Sequence, residues 1–180
     1  EMEGAVNISL GGKITSEGLE GYTVIKSAPL RHAHLFVESL MLEYKRVKNP
    51  FESFEQFNER VLKLYTPQAI GFVMKLGAYL REKNIDIEIG FSESVQTGKN
   101  EEFELFELGR KIYYKLAAKE PYSAYERFTN RLKGEKLESL RSLVPNVDEK
   151  LSLMCGHILN ANEQNRAVVF SELSSYIALD

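Results

Sequence analysis
Three histidines and one cysteine are the side chains best suited to bind a soft metal or to carry out nucleophilic chemistry: His32, His34, His157 and Cys155. His32 and His34 lie two apart, so a helix points them to different faces, whereas an extended chain points them to one. Together the four have the make-up of a Cys/His zinc site, but their spacings match no zinc-binding pattern. As a nucleophile, Cys155 needs a base within hydrogen-bond reach and a lowered pKa. His157 points away from it on a helix, and Met154 beside it gives Cys155 the surroundings of a core residue. The expectation is no metal, no cofactor and no catalytic residue.

The carboxylates come next. Glu52, Glu55 and Glu59 fall on one face at helical spacing, and Glu101, Glu102, Glu104 and Glu107 form a second cluster. Helical di-iron sites add Glu-x-x-His pairs to such sets, and none occurs here. Both clusters therefore read as solvated faces. Arg31, His34 and Glu38 share a face and suit a helix-surface ion pair. Gly11-Gly12-Lys13 and Gly98-Lys99 lack the flanking pattern of a phosphate loop and read as turns. Cations gather at Arg127, Arg131, Lys133, Lys136 and Arg141, near Tyr122 and Tyr125, in the manner of a patch for an acidic partner or RNA. Glu126, Glu135 and Glu138 are interleaved and blunt its field. The string from Arg131 to Asn146 resembles the first helix and loop of basic helix-loop-helix factors. The stretch before it, 122–130, has Arg127 as its lone cation, so the string reads as a helix–Pro–helix connection.

The elements that hold these residues are mostly helical. Residues 1–29 are glycine-rich; Val6, Ile8 and Leu10 alternate with polar residues, and Tyr22 to Ile25 could pair with them as a hairpin, the alternative being a flexible arm. From Leu30, the positions Ala33, Phe36, Val37, Leu40, Met41, Tyr44 and Val47 trace one stripe, which Asn49-Pro50 ends. Ser53 with Gln56 forms a capping-box pattern ahead of Phe54, Phe57, Val61 and Leu64. Thr66-Pro67 signals another start, and Gly71 and Gly77 inside that helix would let a second backbone approach closely. Ile85, Ile87 and Ile89 have a period of two and need a strand partner, for which the N-terminal arm is the nearest source. Beyond a polar loop the second half reads as purely helical, with Phe103–Ala117 the most apolar stretch. Short stripes follow at Tyr125–Leu132, Leu137–Leu143, Val147–Ile158 and Ala167–Ile177. Predicted core residues are Phe36, Leu40, Phe57, Ile70, Val73, Leu108, Ile112, Leu116, Phe128, Leu140, Leu151, Ile158, Phe170 and Leu173.

The chain has 180 residues, 43% of them hydrophobic, with 19 Phe and Tyr and a formal charge of −3 spread over both halves. A core is affordable, and a strong general affinity for nucleic acid is not expected. One cysteine excludes an internal disulfide and favours the cytoplasm or another reducing compartment. The chain opens Glu1-Met2 with no apolar signal core, and no apolar run reaches the ~18 residues of a membrane span. The fold class expected is mainly α, an irregular bundle of about seven or eight helices, to which a small β element from the arm and residues 85–89 could be added. The expected domains are an arm at 1–29 and a single helical domain at 30–180, with a candidate seam at 85–100. The expected function is a non-catalytic module that binds another protein, or itself, through an apolar helix face or groove. Its candidate binding residues are Phe103, Phe106, Tyr113, Arg127, Arg131 and Arg141. The first alternative is a helical small-ligand or enzymatic pocket using Arg31, His34, Glu38, Tyr113 or Tyr114. The second is nucleic-acid binding through the 127–141 cluster.

Overall fold
The structure is a computed structural model, and it describes residues 4–16, 18–87, 101–121, 138–160 and 172–179. Its described residues fall into two compact units, Glu1–Lys99 with Leu179–Asp180, and Asn100–Ala178.

The first unit opens with a hairpin. Strands β1 (Ala5–Thr15) and β2 (Gly18–Pro29) pair antiparallel. The register slips three times, and each slip has a local cause. Between Val6↔Ala28 and Ile8↔Ile25, two β2 residues oppose Asn7. Ser27 takes a left-handed φ of 54° there, and its N–H donates to Asn7 Oδ1 at 3.0 Å. Between Ile8↔Ile25 and Ser9↔Thr23, Val24 is the extra residue. A strict period of two would put Val24 and Ile25 on opposite faces; the bulge lets both be buried. The third slip adds one residue to β1, where Gly11 and Gly12 oppose Gly21 and Gly11 has φ +68°. The Gly-Gly-Lys string is thus a strand bulge.

Helix α1 (Leu30–Val47) follows β2 directly, and Leu30 N–H donates to Gly4 O at 3.0 Å. Its inner face is His32, Phe36, Ser39, Leu40 and Glu43, rotated from the predicted stripe so that Val37 lies outward. Helix α2 (Phe54–Arg60) has the predicted capping box: Gln56 N–H donates to Ser53 Oγ at 3.1 Å, and Ser53 N–H to Gln56 Oε1 at 2.9 Å. A 3-10 turn (Leu62–Leu64) leads to α3 (Pro67–Glu82), capped by Thr66 with Pro67 at its first position. Ile8, Val24, Ile25, Phe36, Leu40, Phe57, Leu62, Ile70 and Met74 share one buried cluster, with Leu179 packed at its margin. Gly71 is where α3 meets β2: a Cβ there would stand 2.0 Å from Val24 O.

The second unit contains α4 (Glu101–Ala117), α5 (Leu140–Leu143) and α6 (Glu149–Asn160). Ser139 caps α5, Leu151 N–H donates to Asp148 Oδ2 at 3.1 Å at the start of α6, and Arg141 N–H donates to Ser152 Oγ at 3.2 Å between them. Gly109 brings α4 close to α6, since a Cβ would stand 2.8 Å from Ile158 Cγ2. Leu108, Ile112, Leu140, Leu151, Met154, Ile158, Leu173 and Ile177 are buried.

Three expectations are corrected. The chain is mainly α, with 59% of the described residues helical, but these hold six α-helices and a two-stranded sheet rather than seven or eight helices. Near the C-terminus, the expected helix gives way at 174–177 to turns with i→i+3 bonds, Ser175 N–H to Glu172 O and Tyr176 N–H to Leu173 O. Ser175 Oγ also donates to Glu172 O at 2.7 Å, and such serine bonds compete with α-helical pairing. Residues 85–87 are not a strand either; the hairpin pairs within itself, and Ile87 O accepts from Arg46 Nη1 at 3.3 Å. The expected helix at 125–132 and the first part, 167–171, of the expected Ala167–Ile177 helix lie outside the described residues. Of the predicted core, Val73 and Leu116 are half-buried, Phe128 and Phe170 lie outside the described residues, and the others are buried.

Candidate functional site
The corner between α1 and α2 carries an unusual side chain, the most exposed of the large hydrophobic ones among the described residues. Helix α1 stops at Val47 because Lys48 is already extended (ψ 146°) ahead of Asn49-Pro50. Glu52 N–H then donates to Asn49 O at 3.1 Å, closing a turn with Pro50 second and Phe51 third. Phe51 has φ 62°. Proline followed by a left-handed residue is the signature of a type II turn, whose third position suits Gly or Asn. Here a bulky aromatic occupies it, and its side chain is 100% exposed.

The turn is held rigidly from below. Arg60 grips the Glu52 carboxylate with two bonds, Nε to Oε2 at 2.7 Å and Nη2 to Oε1 at 2.8 Å. The same Nη2 donates to Val47 O at 3.2 Å, tying the end of α1 to the end of α2. Tyr44 Oη donates to Glu52 O, and Asn49 N–H to Glu52 Oε1 at 3.3 Å. Beneath, Tyr44 packs edge to face with Phe54 and Phe57, centroids 5.5 and 5.2 Å apart, and Phe54 lies tilted against Phe57 at 6.1 Å. The Arg60 fork holds the Glu52 carboxyl below its usual range, with smaller help from the Asn49 N–H and the charge of Lys48. Glu52 is therefore an anion at neutral pH, suited to holding the loop rather than to moving protons.

An open concavity of about 770 Å³ lies beside the turn, lined among others by Pro50, Phe51, Glu52, Glu55, Glu59 and Arg60. Glu55 and Glu59 are exposed on α2, and Glu59 pairs with Lys63 one turn on. Inward of them, Tyr22 Oη donates to Asn58 Oδ1. Burial, and secondly the charge of Glu59, raises the Tyr22 pKa. The lining combines an aromatic ring, a rigid turn and carboxylates.

The sequence-predicted residues lie elsewhere. Tyr113 is in the interior of the second unit, 1% exposed, with its hydroxyl donating to Glu138 O at 2.8 Å. Tyr114 beside it is half-exposed. Phe103 and Phe106 lie on α4, but their side chains, like Arg127 and Arg131 altogether, are outside the described residues. Arg141 is exposed and pairs with Glu149 at 3.0 Å. Arg31 and His34 are exposed, and Glu38 pairs with Arg81 at 2.9 Å. His32 is buried with its ring edge-on to Phe36. Cys155 is buried, which pushes its thiol up to about 12. His157 turns instead to Glu172, at 3.3 Å, and to the Tyr176 ring. Among the described residues no three His, Cys, Asp or Glu converge as a metal site, and no helix is long and apolar enough to cross a membrane.

Sequence reasoning passed over Phe51. The available signal was an aromatic residue stranded between a helix terminator and a capping box, outside both apolar stripes. Protein-family models, curated proteins and solved structures were all compared with this chain, and none matches it.

Proposed function
We propose that this protein is a non-catalytic binding module that engages another protein through the α1–α2 corner, with Phe51 as its anchoring side chain. One observation carries the reading: a fully exposed Phe occupies a left-handed turn position. Such backbone costs a non-glycine residue about 1–3 kcal/mol, and this ring returns nothing to the core. A residue that burdens the fold without packing in it is best accounted for by what it does outside. Aromatic side chains on rigid supports are also the usual energetic centres of protein interfaces. The Arg60 clamp lowers the ordering cost of binding by fixing the turn beforehand.

The test is site-specific photocrosslinking. A benzoyl-phenylalanine probe at position 51 of the full chain should give a discrete adduct in extracts of the source cells. The same probe at exposed Lys26 should not. Unlabelled wild type should compete the adduct away, and Phe51→Asn should fail to compete. An adduct of twice the chain mass would identify a second copy as the partner. Equal competition by Phe51→Asn would refute the reading.

A further inference from the structure
We draw no further inference here: the strongest candidate, the outward apolar side of α1 at Leu30 and Val37, is an exposed helix face, and nothing in the structure shows what covers it.

Discussion

Replacing Gly71 by alanine tests how the hairpin is seated on the helices. In an ordinary helix the change stabilises by about 1 kcal/mol, because alanine is the better helix former. Here the added Cβ meets the Val24 carbonyl oxygen at 2.0 Å, with Val24 C at 3.0 Å and Ile25 Cγ1 at 3.2 Å. A relaxed carbon–oxygen contact needs about 3.3 Å, so β2 and α3 must separate by more than ~1 Å. The obstacle is backbone held in a paired strand, so no rotamer change relieves it. Overpacking of this type costs about 1–3 kcal/mol, sometimes more, and a clash with backbone belongs at the upper end. After the propensity gain, Gly71→Ala should lose about 2 kcal/mol. Gly156→Ala is the control, since nothing lies within 4 Å of its added Cβ. It should gain roughly 0.5–1 kcal/mol. Urea unfolding followed by circular dichroism reads both. If Gly71→Ala were as stabilising as Gly156→Ala, the close seating of β2 on α3 would be refuted.

Two further outcomes follow from the titrating groups. Folding holds Glu52 below its ordinary value of 4.5, so its contribution is complete above that pH and is lost as pH falls through the lower folded value. The stability difference between wild type and Glu52→Gln should therefore be constant near neutrality and shrink in acid; a difference that grew below pH 4.5 would contradict the clamp. Burial pushes the Cys155 thiol up to about 12, so it should resist a thiol-specific disulfide reagent at pH 8 in the native protein and react fully in urea. Rapid native labelling would contradict its placement.

What the sequence made legible was governed by local chemistry. The capping box at Ser53, the Thr66-Pro67 start and the helix stop at Asn49-Pro50 depend on neighbours within four residues, and each is found. Gly71 as a point of close backbone approach was also readable, since a glycine inside an apolar helix has few other uses. Strand bulges were not. Their extra residues break the period of two, so Val24 and Ile25, both buried, could not be assigned to a face beforehand. Phe51 was obscured for a different reason. Apolar residues are read as interior by default, and its exposure depends on a backbone angle that the sequence does not display.

The same three bulges bear on how the molecule behaves in a crowded solution. A long two-stranded ribbon offers further chains a row of hydrogen-bonding groups, the usual starting point for fibril growth. Interruptions at Asn7, Val24 and Gly11-Gly12 leave no long stretch of even spacing for an incoming strand to match. The irregularity that lets Val24 and Ile25 both reach the interior therefore also makes this ribbon a poor template for its own kind.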